Sequence, residues 1–386
     1  MLIERTIKTE FKQLVESYPV VTITGPRQAG KTTLAKMEYP HYNYCNLENP
    51  ETRNLAIHDP NAFFQEFPYP VIIDEIQRVP ELLSYIQVIV DEKSEKGMYI
   101  LTGSHQLGLN QAVSQSLAGR TALLHLLPFS INELNQAGFH QDRDDYIFKG
   151  FLPRVYKDDL EPTRAYRNYF QTYIERDLRQ MIQLKNLNHF EMFLKLLAGR
   201  TGQLVNLNSL SNDIGVSGTT LKEWLSILEA SFIIFRLNPY FENFGKRIIK
   251  TPKLYFTEIG LVTYLLGIEE KGQVGRDPLV GNIFENLVVI EALKARLNKG
   301  LDPNLFFYRD NNLNEVDIIY KRSRDLVPIE IKSAKTWNKD FCHGINYFRS
   351  ISKNAADGYL IYAGDLNPDL ESIKVRHFSR TYEIFE

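Results

Sequence analysis

Between residues 18 and 127, short apolar runs rich in β-branched side chains alternate with amphipathic stretches. Val20–Thr24, Asn43–Leu47, Val71–Asp74, Met98–Thr102 and Ala122–Leu126 read as strands, being short, apolar and bounded by polar or turn-forming residues. Helical periodicity fills the gaps. It is clearest over Glu81–Glu92, where Leu82, Tyr85, Ile86, Ile89 and Val90 fall on one stripe. Strand–helix alternation of this kind is how a parallel sheet covered by helices is written, so the first part of the chain reads as α/β. After Pro128 the strand pattern stops. From Pro162 to Gly199, Tyr166, Tyr169, Phe170, Tyr173 and Ile174, then Phe190, Phe193, Leu194 and Leu197, recur at helical spacing and predict an all-α connector.

Residues 207–230 hold a short helical pattern, a break at Gly215 and Val216, and a second amphipathic helix opened by Ser217 as its N-cap, with Leu221, Leu225 and Leu228 inward. That is helix-turn-helix spacing. Ser231 to Phe256 then reads as strand, basic loop and strand, the outline of a wing. From Gly281 a long amphipathic helix leads into strands Leu305–Tyr308, Glu315–Tyr320 and Leu326–Lys332, a helix near Lys339–Ser350, and strands Gly358–Tyr362 and Lys374–Phe378. This is a further, mixed α/β region.

A chain of 386 residues is long enough for two or three domains, and 44% hydrophobic with 24% charged residues is an ordinary globular composition. Lys plus Arg number 45 against 47 Asp plus Glu, so a net charge of -2 supplies no global field toward nucleic acid or an anionic membrane. Any such contact must be local. The two cysteines, Cys45 and Cys342, make neither a zinc site nor a disulfide framework, which fits the cytoplasm. No apolar run approaches the roughly 20 residues of a membrane span, and no targeting segment is expected.

Gly25, Pro26, Arg27, Gln28, Ala29, Gly30, Lys31 and Thr32 match G-x-x-x-x-G-K-[ST] without a departure, after a predicted strand and before a predicted helix. The glycines let backbone N–H groups turn inward around a phosphate at a helix N-terminus, where the helix dipole also favours an anion. Lys31 would reach the β and γ phosphates of ATP, Thr32 would bind Mg²⁺, and Gly25, Arg27, Gly30 and Thr33 complete the expected nucleotide contacts. The strand before Asp74 and Glu75 ends at the carboxyl edge of the sheet, where open α/β sheets bind ligands. Asp74 would join the metal shell and Glu75 would polarise the attacking water. Thr102 or Ser104, ending the next strand, would sit beside the γ-phosphate.

With these motifs the chain resembles AAA-type P-loop ATPases, and more closely those followed by a domain of unknown function in bacteria and archaea. The phosphate loop, the run Val71–Glu75 and Leu101–Ser104 carry the resemblance, with Ser116–Arg120, Leu127–Ser130, Gly150–Pro153 and Tyr173–Asp177. It implies a sheet in the order 5-1-4-3-2. Arg120 and Arg176 are the candidates for the arginine that neutralises charge on a transferring phosphoryl group.

Lys222 on the second helix of the helix-turn-helix, and Lys246, Arg247 and Lys250 in the basic, aromatic loop after it, form a candidate DNA-binding constellation. Protein docking is the competing use of such a module. Farther on, Asp317 and Glu330 can share a face of a hairpin, and Glu330 and Lys332, two residues apart on a strand, must share one. With Glu285 from the long helix they could bind Mg²⁺ and orient a water for phosphodiester attack, with Asp317, Glu330 and Lys332 as the catalytic set. This resembles the restriction-endonuclease fold, except that Val316 stands where some members carry proline.

The expected division is therefore a P-loop ATPase domain over 1–135, a helical connector over 136–200, a winged helix-turn-helix over 201–270 and a restriction-endonuclease-like domain over 271–386. The expected function is Mg²⁺-dependent ATP hydrolysis coupled to a DNA-binding, nuclease-like half. A second reading is an ATP-dependent protein-interaction switch with an inactive nuclease fold, and a homo-oligomer accords with either. A small-molecule kinase is a third, disfavoured by the Asp74, Glu75 and Ser104 set.

Overall fold

The computed structural model describes residues 2–104, 116–173, 187–241 and 251–386. The chain divides into two units, one of Met1–Phe129 with Ala230–Phe232 and Leu297–Leu301, the other of Ser130–Glu229, Ile233–Arg296 and Asp302–Glu386.

The first unit is built on five parallel strands, β1 Val20–Thr24, β2 Asn43–Asn46, β3 Val71–Asp74, β4 Tyr99–Gly103 and β5 Thr121–His125, in the order β2-β3-β4-β1-β5. This is the order that the family resemblance implied. Alternation along the strands feeds two cores, one on each face. Val20, Val71, Ile73, Tyr99 and Leu101 pack with Ile86 and Val90 of the helix Leu82–Lys93. Val21, Ile23, Ile72 and Ile100 pack with Phe11 and Val15 of the helix Lys8–Ser17 and with Leu34 of the helix Lys31–Glu38. Because β1, β3 and β4 are buried on both faces, their sequences are mostly apolar, with the polar exceptions Thr22, Thr24, Asp74 and Thr102 buried as well.

In the second unit short helices over Ile131–Gln136, Arg143–Lys149, Pro153–Lys157 and Pro162–Tyr169 precede the helix Leu187–Ala198. Next come β6 Gln203–Leu204, the helices Leu207–Ile214 and Gly218–Ala230, and the antiparallel strands β7 Ile234–Pro239 and β8 Lys253–Phe256, with β8 also paired to β6. Ser217 caps the second helix as expected, its Oγ accepting from the Thr220 N–H at 3.1 Å. The helix Val280–Leu297 then leads into β9 Leu305–Arg309, β10 Glu315–Arg322, β11 Asp325–Lys332, the helix His343–Ile351, β12 Gly358–Tyr362, β13 Asp369–Leu370 and β14 Ile373–His377. Strands β9 to β11 run antiparallel, while β11, β12 and β14 are parallel. A short parallel pairing of β7 with β9 joins everything into one nine-stranded sheet. The main segment of the first unit ends at Phe129, and residues 130–386 fall in the second apart from Ala230–Phe232 and Leu297–Leu301.

Candidate functional site

The phosphate loop runs from the end of β1 to the helix Lys31–Glu38. Gly25 has φ +151°, and a Cβ there would lie 2.0 Å from the Leu126 carbonyl oxygen, so only glycine lets the loop pass β5. Gly30, at φ +95°, is the N-cap of the helix. Lys31 Nζ donates to the Gly25 and Pro26 carbonyls at 2.9 Å each, closing the loop around its own cation. Burial is the main cause that lowers the Lys31 pKa to about 8, with Arg27 adding to it and Glu75 and Asp74 opposing.

Arg5, which the sequence reading missed, holds this loop from outside. Its Nη1 donates to the Ala29 carbonyl at 2.8 Å and its Nη2 to the Leu127 carbonyl at 2.6 Å, while the guanidinium lies 5.0 Å from the Phe129 ring centroid. A planar fork with several donors can bridge two backbone segments in this way, and an ammonium group cannot.

Strands β1, β3 and β4 deliver the remaining groups to one edge of the sheet. Asp74 Oδ1 accepts from Thr32 Oγ1 at 2.8 Å and from the Thr102 hydroxyl, and Oδ2 from the Tyr44 hydroxyl at 3.0 Å. Thr32 and Asp74 are the pair that could hold a divalent ion. Glu75 has φ +59°, a left-handed backbone that costs a non-glycine residue about 1–3 kcal/mol. Its N–H donates to Thr102 Oγ1 at 3.3 Å, and its carboxylate accepts from Ser104 Oγ at 3.2 Å and from the Gln77 amide. Gln77 Nε2 also donates to Ser104 Oγ at 3.2 Å, and its Oε1 is buried without a partner. Gln77 is a second group that the sequence reading missed. Arg27 lies 3.7 Å from Glu48, which also binds Arg78 at 2.7 Å, and Thr33 is exposed in the first helical turn.

Arg120 lies away from its own chain's phosphate loop. It precedes β5 at the amino edge of the sheet, its carbonyl accepting from Val20 N, whereas the phosphate loop lies at the carboxyl edge. Five residues of parallel strand, about 16 Å, separate the two edges. Its guanidinium is paired with Asp91 at 2.6 and 2.8 Å, so it does not serve its own chain's phosphate loop. Arg176 lies outside the described residues.

In the second unit, four elements bring their side chains to one point. Lys253 and Tyr255 of β8, two residues apart and therefore on one face, both donate to Glu285 Oε1, at 2.8 and 2.6 Å. Lys253 Nζ also pairs with Glu315 and lies 3.9 Å from Asp317 Oδ1. The β10–β11 register, Ile318 with Ile329, sets Asp317 opposite Glu330 as expected. Asp317 Oδ2 accepts from the Ile331 N–H at 2.8 Å, and Lys332 Nζ lies 3.2 Å from Glu330 and 4.0 Å from Asp317. Burial and the Asp317 charge push the Glu330 carboxyl well above the usual range. Burial opposes charge on Asp317 too, yet Lys332, Lys253 and the bonds from Glu330 and Ile331 hold its pKa below the ordinary value.

The expectation that Glu285, Asp317 and Glu330 form a metal-binding set is corrected by this arrangement. Glu285 accepts from Lys253 and Tyr255, Lys332 pairs with Glu330, and among the described residues no three His, Cys, Asp or Glu are arranged to hold a metal ion. Lys253, at the start of the second strand of the expected wing, is 2% exposed. Of the DNA-contact candidates, Lys222 is exposed and lines a cavity of about 800 Å³ with Asn206, Ser226 and Arg236, whereas Lys246, Arg247 and Lys250 lie outside the described residues.

Residues 17–135 match the model of an AAA domain, and residues 140–272 and 280–380 match two domains of unknown function (DUF8612 and DUF4143). The chain is 32% identical over 343 residues to uncharacterized proteins of Mycobacterium tuberculosis and Mycobacterium bovis, covering 87% of this chain and 75% of each of theirs. It belongs to the family of these two proteins. The walker-type ATPase of Pyrococcus abyssi is similar over 68% of this chain and 96% of its own, at 14% identity and a TM-score of 0.45. On the family match over residues 17–135, the first unit is an AAA-type P-loop domain, of the ATP-binding class. Among the described residues no helix is long and apolar enough to cross a membrane.

Proposed function

We propose that this family member is an Mg²⁺-dependent ATPase whose nucleotide state sets the activity of the second unit. The observation that carries hydrolysis is Glu75, held in a left-handed backbone beside the phosphate loop with its carboxylate tied to Ser104 and Gln77. A general base must sit near the metal pair without joining it, and Glu75 does so next to Thr32 and Asp74. When bound, Mg²⁺ would neutralise charge on the phosphates. Lys31 would trade its two loop carbonyls for phosphate oxygens, and Ser104 and Gln77 would keep the Glu75 carboxylate turned toward water. ATP turnover in the full chain is the test. Glu75→Gln should bind ATP as wild type does and turn over about 10²-fold or more slowly, and equal turnover would remove Glu75 from the base role.

For the second unit the reading is a winged helix over 201–270 followed by a restriction-endonuclease-like fold over 271–386. Its support is the order β6, helix, helix, β7, β8, and then the helix Val280–Leu297, three antiparallel strands, a helix and a parallel strand. DNA contact through Lys222, Lys246, Arg247 and Lys250 is the partner proposed, charge-driven and therefore weakened by salt. The second reading, a switch that binds through an inactive nuclease fold, is favoured over cleavage by the ammonium of Lys253 among the carboxylates. With Arg120 at the far edge of its own sheet, any finger role for it requires a second copy of the chain, so a homo-oligomer is part of the proposal.

A further inference from the structure

We propose that Lys253 is the resident cation of the Glu285, Glu315 and Asp317 cluster, a plug built into the chain that closes this site to divalent metal ions. The inference concerns the second unit alone and stands whether or not the first unit hydrolyses ATP.

A set of carboxylates at the end of a hairpin, facing a helix-borne glutamate, calls for positive charge, since buried like charges repel unless a cation lies among them. In a fold of the restriction-endonuclease type that cation is expected to be a metal ion, and the residues here do not fit one. The ammonium of Lys253 lies 2.8 Å from Glu285 and 3.9 Å from Asp317, and it is paired directly with Glu315. Its side chain is 3% exposed, so this is no surface ion pair exchanging with water. Burial by itself would strip the proton from Lys253; Glu285, Asp317 and Glu315 outweigh it and keep the group charged.

The lysine is also held in place from behind. Three residues on, the backbone of Phe256 is bound in both directions by the buried Asn286, whose Oδ1 accepts from the Phe256 N–H at 2.8 Å and whose Nδ2 donates to the Phe256 carbonyl at 2.7 Å. Asn286 is the neighbour of Glu285 on the helix Val280–Leu297, so one helix both receives the lysine and fixes the strand that carries it. Tyr255 adds a second donor to Glu285 from the same strand. On the far side, Gly344 lets the helix His343–Ile351 lie against Glu330: a Cβ there would come within 1.9 Å of Glu330 Oε1 and 2.4 Å of the Glu315 carbonyl oxygen. The cluster is thus closed on two sides; Lys332 lies toward Glu330 and Arg309 toward Glu315, while Lys253 from β8 is the cation that reaches Glu285, Glu315 and Asp317 together.

Mn²⁺ is the probe, titrated by electron paramagnetic resonance into the nucleotide-free full chain, so that any ion at Thr32 and Asp74 contributes equally to every variant. Wild type should show no site that Asp317→Asn removes. Lys253→Met keeps the length of the side chain and deletes its charge. It should gain one Mn²⁺ site at least tenfold tighter than any in wild type, and the double variant Lys253→Met/Asp317→Asn should lose it. Wild type binding Mn²⁺ in a way that Asp317→Asn abolishes would overturn the proposal, as would a folded Lys253→Met protein that gains no site. Should Lys253→Met not fold alone, Mn²⁺ in the refolding buffer must rescue it by replacing the missing charge, and failure at every Mn²⁺ concentration would also overturn it.

Discussion

Raising the pH from 7 to 9 should weaken nucleotide binding about tenfold, because Lys31 must gain the proton that its burial has loosened. With no phosphate bound, Lys31 is surrounded by loop backbone and its pKa falls from 10.5 to about 8. A triphosphate places negative charge against the ammonium and returns its pKa to 10.5 or above, so binding takes up the missing proton. The apparent Kd then scales as 1 + 10^(pH − 8), which is about 1.1 at pH 7, about 2 at pH 8 and about 11 at pH 9. The ratio from pH 7 to 9 corresponds to about 1.4 kcal/mol. Titration with a fluorescent ATP analogue across this range measures it. Calorimetry at pH 8 in buffers of different ionisation enthalpy should show uptake of about half a proton per nucleotide. Lys31→Arg, whose guanidinium stays charged, should bind more weakly but with a flat pH profile. A flat profile in wild type would show that Lys31 keeps its proton in the free loop, and the burial argument would fail.

Three further outcomes follow from the geometry. Arg5→Ala leaves the Ala29 and Leu127 carbonyls without their charged donor and should cost about 3 kcal/mol in urea unfolding, with nucleotide affinity at least tenfold lower; Arg5→Lys should recover only part of both. Glu330 has a folded-state pKa raised above its unfolded value of 4.5, so its contribution is fully present below about pH 4.5 and is lost as the pH rises toward the folded value, by up to about 1.4 kcal/mol per pH unit. Glu330→Gln should flatten that decline in unfolding curves taken from pH 5 to 8, and parallel curves for the two proteins would refute it. Arg120→Ala should leave nucleotide binding unchanged in the isolated chain, while turnover that falls only at concentrations where copies associate would assign Arg120 to a neighbour's site.

The first unit was legible in the sequence because doubly buried strands appear there as short, mostly apolar runs and the phosphate loop has a fixed spacing. Its strand order came from the family resemblance, since nothing in Val20–Thr24 says which strands will flank it. The place of Arg120 relative to its own phosphate loop was also legible: a residue just before a parallel strand lies at the amino edge, and a loop just after one lies at the carboxyl edge. Arg5 left no local signal, being one cation in a charged stretch far from the loop that it holds. Lys253 left no local signal for a related reason. Its neighbours in sequence are basic, but what buries it is Glu285, Glu315 and Asp317, 32 to 64 positions away.

The anchoring of the phosphate loop by Arg5 also bears on where this domain can be cut. The AAA match begins at residue 17, after the helix Lys8–Ser17 has nearly ended. A fragment starting there would retain every residue of the nucleotide motif and lose both the guanidinium that grips Ala29 and the Phe11 and Val15 wall of one core face. Such a fragment would carry the whole signature and bind nucleotide poorly, and its failure would say nothing about the motif itself. Arg5, Phe11 and Val15 therefore brace the phosphate loop and its sheet from outside the matched segment.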